Sequence, residues 1–203
     1  MEKVDILIAG IGGQGIVAAS DIIAATGILA GYDVKKTDSL GMAQRGGSVV
    51  SHIRMADSVS SPLIPTGGAD VLVALEKLEA VRWAEYLRQE GTAVINDLAV
   101  SPPDVNLGFE TYPANHEITA AVKKYTTNVF FIPGNRLAEE AGIAKALNSV
   151  ILGCMACFLP FRIPFWKDSV RARLPASTID LNLKAFDRGR EYIFKLVGRS
   201  YNV

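Results

Sequence analysis

The sequence, 203 residues long, predicts an α/β fold: one domain with a mainly parallel, Rossmann-like sheet flanked by helices and a helical C-terminal segment. Three observations carry this. The apolar run "DILIAG" leads into glycines at GxGxxG spacing, Gly10, Gly12 and Gly15, and then into a long apolar stretch, the strand–loop–helix opening of a doubly wound sheet. The run "ADVLVAL" is uninterrupted, as in a strand buried on both faces of a parallel sheet. Strand patterns then alternate with helical spacing as far as Pro133.

Val4 to Ala9 reads as the first strand, and Ile16 to Ala30, apolar in nearly every helical phase, as a buried helix. "GYDVKK" turns into a second strand, and "GGSVVSHIRM" alternates enough to be a third. After "ADVLVAL" comes helical spacing over "KLEAVRWAEYLRQ" and a strand at "GTAVIND". Beyond the turn-rich "LAVSPPDVNLG", a helix at "NHEITAAVKKYT" and the apolar "NVFFIP" give one more βαβ passage. Past Pro133 come the helical patterns "RLAEEAG", "ALNSVILGCMACFLPF", "DSVRARL" and "LNLKAFDRGREYIFKLV". They are too short and too interleaved with the sheet for a second domain, so residues 1–203 form one domain whose tail covers a sheet face or meets a partner.

Hydrophobic residues make up 49% and charged residues 21%, the balance of an ordinary globular chain. Lys plus Arg equals Asp plus Glu at 21 each, so no global field draws nucleic acid or an anionic membrane. The N-terminus lacks the regions of a signal peptide. The most apolar later stretch, "SVILGCMACFLPF", falls short of the roughly 20 residues that cross a bilayer, and Pro160 ends it. Two cysteines, Cys154 and Cys157, are too few for a disulfide scaffold. A cytoplasmic protein with no nucleic-acid or membrane partner is expected.

Glycines spaced as in the first loop let a strand turn sharply and let backbone N–H groups approach a phosphate. The following helix N-terminus adds donors and partial positive charge. Gly12, Gly13, Gln14 and Gly15 are therefore candidates for holding an anionic ligand, although a tight βα turn without a ligand would use the same glycines. A dinucleotide reader needs an acidic residue at the end of the second strand, roughly 20 residues on. Asp33 has the spacing but opens that strand, and Asp38 ends it but arrives late. Gln14 also stands where hydride-transferring enzymes carry a small or apolar residue. NAD is disfavoured.

A second glycine segment, "SLGMAQRGGSVVSHIR", sets Gln44 and Arg45 on Gly46, Gly47 and Ser48 just before a strand. Ligands of open α/β sheets bind outside the carboxyl ends of the strands, where both glycine segments should emerge. Arg45 would offer a planar, permanently charged fork to a phosphate; a solvated turn arginine is the plainer reading.

In this order, "GIGGQGIVAAS", "GMAQRGGSVVSHIR", "SPLIPTGGADVLVALEKLEAVR" and "NSVILG" resemble the gamma chain of the 2-oxoacid:ferredoxin oxidoreductases, most of all the small subunit of the indolepyruvate branch. The likeness is strongest from Ile6 to Arg82. It implies a complex that decarboxylates a 2-oxoacid on thiamine diphosphate, sends two electrons through iron–sulfur clusters to ferredoxin, and transfers the acyl group to coenzyme A. This chain has no GDG segment with a thiamine-type asparagine pair and no CxxCxxC run with a fourth cysteine. It therefore resembles the chain without redox centres, inactive alone, with thiamine diphosphate and iron–sulfur clusters in its partner subunits. The resemblance further implies that Gly12, Gly13, Gln14 and Gly15, with Gln44, Arg45, Gly46, Gly47 and Ser48, help to hold coenzyme A as co-substrate. Arg45 stands where the pyruvate enzymes carry a lysine. No catalytic residue and no metal ligand is expected in this chain.

Cys154 and Cys157 form a CxxC inside an apolar helix pattern, which places both thiols in the core rather than in a dithiol or cluster. His52 and His116 have no second His or Cys at metal spacing, and His52 is expected to be a hydrogen-bonded structural residue. Two rival readings remain: a stand-alone NAD- or flavin-binding oxidoreductase, and a non-enzymatic nucleotide-binding regulatory module.

Overall fold

The computed structural model describes residues 1–40 and 47–198. Its first half runs β1 (Val4–Ile11), α1 (Ile16–Leu29), β2 (Asp33–Leu40), β3 (Ser48–Ala56), β4 (Ala69–Ala74), α2 (Lys77–Trp83) and β5 (Leu87–Asn96). The short α3 (Pro103–Asn106), α4 (Asn115–Val122) and β6 (Asn128–Ile132) follow, then α5 (Gly134–Ala141), α6 (Leu147–Ala156), α7 (Ile163–Arg173) and α8 (Ile179–Val197). The strands form one sheet in the order β2-β3-β1-β4-β5-β6. β1, β4, β5 and β6 pair in parallel, and β3 alone runs against the rest.

The expected mainly parallel sheet is present, but one adjacency differs from a Rossmann sheet, where β2 lies beside β1. Here β3 is inserted between them, paired with β1 from Val4↔Met55 to Ile11↔Ser48. The reason is chain length. Seven residues link Leu40 to Ser48, whereas a parallel crossover needs a dozen or more, so β3 must turn back along β2.

Side chains alternate along each strand, so the sheet has two apolar faces. Ile6, Ile8, Val71, Val73 and Val94 join α1 and α5 to α8 in one cluster. Leu7, Ala9, Leu72, Ala74, Ala93 and Ile95 pack with Ala80 of α2 and Val122 of α4 on the other. The C-terminal helices thus cover a sheet face, as expected. Within them α6 and α8 touch backbone to backbone: a Cβ on Gly153 would overlap the Phe186 carbonyl oxygen, and one on Gly189 that of Val150.

Helical spacing over 77–89 overestimates α2, which ends at Trp83 and gives way to a 3-10 turn at Ala84–Tyr86. Leu87 instead pairs with Ala69, and the register shifts by Val71↔Thr92. Burial of Leu87 in the sheet overrides the local helical pattern. At the carboxyl edge buried Asn96 accepts from the Gly134 N–H (3.1 Å) and donates to the Leu75 carbonyl (3.2 Å), fixing β4, β5 and α5 together.

Candidate functional site

β1 ends against the first glycine loop at the sheet's carboxyl edge. Gly13 and Gly15 have φ of +100° and +77°, a region open to glycine at little cost. Gly15 is the N-cap of α1, which has no side-chain cap and no acidic residue in its first turn. Among the described residues no side chain offsets its positive end. The Gln14 side chain does not reach out: its Oε1 accepts the Ile11 N–H at 2.8 Å, while the Gln14 backbone N–H donates to the Ile11 carbonyl at 3.0 Å. Gln14 braces the loop.

The second glycine segment meets the first directly, because the Gly12 N–H donates to the Gly47 carbonyl at 2.8 Å. Ser48, facing Ile11 in the sheet, donates its hydroxyl hydrogen to Glu79 and accepts the Trp83 indole N–H at 3.3 Å. Glu79, buried at 4% exposure, also accepts from Arg82 Nε at 3.1 Å and Trp83 Nε1 at 3.3 Å. This links β3 to α2. Gln44, Arg45 and Gly46 lie outside the described residues.

Two clefts open from this junction and share Ile11. One, of about 300 Å³, is lined by Gly12, Gly13, Gly15, Ile16, Val17 and Val49. The other, about 490 Å³, lies between Gly47, Ser48, Glu76, Glu79 and Arg82 on one side and Val100 to Pro103 with Asn106 on the other. Glu76 is 1% exposed and fully engaged. It caps α2 through the Leu78 and Glu79 N–H groups at 2.7 and 3.2 Å, and accepts the Val100 N–H at 3.0 Å and the Tyr112 hydroxyl at 2.5 Å. Burial, then the Glu76 carboxylate, push the Tyr112 phenol well above its ordinary value, so it stays a donor. Arg82, largely exposed, brings a guanidinium to the same cleft. Sequence reasoning passed over Glu76, Glu79 and Arg82. The available signal was their place in "ALEKLEAVR", immediately after a fully buried strand, where α/β sheets put their sites.

The acidic residues weighed for a dinucleotide are engaged elsewhere. Asp33 binds Lys35 and the Val59 N–H. Asp38 accepts from Ser51 Oγ at 2.5 Å and pairs with Lys36 at 3.0 Å. With β3 between them, β2 and β1 cannot form the adjacent pair that a dinucleotide fingerprint requires.

His52 is buried, accepts the Ile64 N–H at Nδ1 (3.2 Å) and meets Tyr86 edge-on, a structural role. Both cysteines are buried. Burial pushes the Cys157 thiol up to about 11, against the opposing effect of Arg190, and Cys154 well above its ordinary value. Among the described residues no three His, Cys, Asp or Glu side chains gather as metal ligands, and no helix is long and apolar enough to cross a membrane.

Together the mixed sheet and its paired glycine segments define an α/β protein with two clefts at the sheet's carboxyl edge. Residues 5–192 match the pyruvate ferredoxin/flavodoxin oxidoreductase family, and the chain belongs to it. The indolepyruvate oxidoreductase subunit IorB of Archaeoglobus fulgidus is 39% identical over 189 residues, 92% of this chain and 94% of that one. The 2-oxoglutarate synthase subunit KorC of Methanothermobacter marburgensis is 26% identical over 195 residues, 94% and 97% of the two chains. In fold the chain is similar to the gamma subunit of a keto/oxoacid ferredoxin oxidoreductase from Geobacter sulfurreducens (TM-score 0.73, 22% identity, 96% and 98% covered). It is also similar to part of a 2-oxoglutarate:ferredoxin oxidoreductase from Magnetococcus marinus, solved with 2-oxoglutarate, coenzyme A and succinyl-CoA bound (TM-score 0.71, 20% identity). There the match covers 96% of this chain and 32% of that one.

Proposed function

We propose that this chain, one domain over residues 1–203, is the small, redox-inactive subunit of a cytoplasmic 2-oxoacid:ferredoxin oxidoreductase complex. Its two glycine segments help to hold coenzyme A beside the subunit that carries the chemistry. The complex converts a 2-oxoacid, coenzyme A and two oxidised ferredoxins into acyl-CoA, CO2, two reduced ferredoxins and a proton. Thiamine diphosphate and iron–sulfur clusters belong to the partner subunits. The indolepyruvate relatives favour an arylpyruvate as the acid.

The observation that carries this reading is the hydrogen bond from Gly12 to Gly47, which joins the two segments where their adjoining clefts meet at Ile11. The residues fit a phosphate-bearing ligand. Among the described residues no side chain caps the start of α1, and none lies within 4 Å of a Cβ built on Gly13. The amides of Gly15 and Ile16 are among the donors a phosphate would meet, whereas those of Gly12 and Gln14 already serve the loop. Gln44, Arg45 and Gly46 complete the set from the sequence, Arg45 as a charged fork, while Gly47 and Ser48 shape the wall. The stand-alone NAD- or flavin-dependent reading is set aside, since β2 lies one strand too far from the loop.

Co-expression with the thiamine- and cluster-bearing subunit tests this. The expected result is a stable complex that reduces ferredoxin only when both 2-oxoacid and coenzyme A are supplied, while the chain alone is colourless and inactive. Ferredoxin reduction by the chain alone, or a bound flavin, would contradict it.

A further inference from the structure

The first glycine loop is held from the far end of the chain. Asn148, at the start of α6, donates its carboxamide Nδ2 to the Gln14 carbonyl at 3.0 Å and to the Gly15 carbonyl at 3.2 Å. The Gly15 oxygen is also the acceptor for the Ala19 N–H at 3.0 Å, so Asn148 grips the N-cap carbonyl of α1 itself. The fit is close: a Cβ on Gly15 would stand 2.6 Å from Asn148 Nδ2. Glycine at 15 thus serves both the positive φ and the approach of this side chain.

Both Nδ2 hydrogens are committed to the loop, whereas Asn148 Oδ1 is buried and has no partner among the described residues. An apolar side chain would remove that cost to stability but could not donate. The structure retains the donation. In a planar trans peptide the carbonyl and the following N–H point in opposite directions. Holding the Gln14 oxygen therefore fixes the Gly15 N–H, and holding the Gly15 oxygen fixes the Ile16 N–H, both away from α6. Gly15 and Ile16 line the smaller cleft.

We propose that Asn148 is a positioning residue: its carboxamide clamps the glycine loop so that the Gly15 and Ile16 amides are pre-set for the anionic part of coenzyme A. This rests on the reading of the cleft as a coenzyme A site. The clamp couples the N-terminal loop to the C-terminal helices across more than a hundred residues, without touching the ligand. Its effect falls on coenzyme A and not on the 2-oxoacid.

The test uses the assembled complex carrying Asn148→Leu, close in volume and uncharged, and Asn148→Asp, the same shape without the amide donor. Two readouts are taken: hydrogen exchange of the amides at 11–19, and Michaelis constants for coenzyme A and 2-oxoacid measured separately. Gly13→Asp, compared with Gly13→Asn, tests the site itself by setting a carboxylate in the open cleft. The expected result is that both Asn148 variants exchange at least ten-fold faster in the loop and raise the coenzyme A constant at least five-fold. The 2-oxoacid constant stays within two-fold, and kcat at saturating coenzyme A is kept. If Asn148→Leu does not fold, Asn148→Asp decides alone. Loop exchange and coenzyme A constant at parental values in a folded variant would overturn the clamp. So would faster exchange with an unchanged coenzyme A constant while Gly13→Asp raises that constant over Gly13→Asn, which leaves the coenzyme A site standing. Indifference of that constant to all four variants would overturn the site and the clamp together.

Discussion

His52 lies among apolar and aromatic neighbours, its Nδ1 accepting the Ile64 N–H, and burial lowers its pKa below 6.5. The unfolded chain therefore takes up this proton more readily than the folded one. The stability that neutral His52 contributes is complete above about pH 6.5 and declines as the pH falls below it, toward the depressed folded value. His52→Gln keeps an acceptor for Ile64 without a titrating ring, so its Tm should fall less steeply than the parent's between pH 7 and pH 5. Equal slopes would contradict the assignment. At this scale much was legible. An apolar helix pattern around Cys154 and Cys157 was enough to put both thiols in the core, where they are. Gln14 reads in the sequence as a candidate to hold the ligand, because the return of its side chain to the Ile11 N–H depends on a turn geometry that spacing does not encode.

Among the elements, the strands of the first half stand where alternation and apolar runs place them, and the errors have physical causes. The antiparallel insertion of β3 follows from a link too short for a parallel crossover, a length the sequence displays but a pattern-by-pattern reading ignores. The early end of α2 arises from pairing between Leu87 and Ala69, partners distant in sequence. Least visible was the contact of α6 with α8. Gly153 and Gly189 sit inside helical patterns where glycine normally weakens a helix, and here each admits the other helix's backbone. Gly189→Ala should force the helices apart and cost about 3 kcal/mol or more, beyond ordinary overpacking. At roughly 2–4 °C per kcal/mol for a chain of this size, thermal unfolding should shift down by about 10 °C. A shift within 2 °C would show that α8 slides without penalty.

Over the whole molecule, the sheet brings to one edge residues scattered along the chain: the first glycine loop, Gly47 and Ser48, and the α2 carboxylates Glu76 and Glu79. The two glycine segments were legible as neighbours from the strand-end rule alone, and the Gly12 to Gly47 hydrogen bond joins them. The α2 wall was not, since carboxylates capping a helix and holding a serine look in sequence like any solvated pair. We propose that this edge serves coenzyme A while the 2-oxoacid is handled by the partner subunit. Arg45→Ala in the reconstituted complex tests it most directly. Loss of a charge-assisted hydrogen bond to phosphate is worth roughly 1.5–3 kcal/mol, or about ten-fold or more in affinity. The Michaelis constant for coenzyme A should rise by that factor while that for the 2-oxoacid, and decarboxylation on thiamine, are unchanged. A rise confined to the 2-oxoacid, or no change in either constant with assembly intact, would contradict the account.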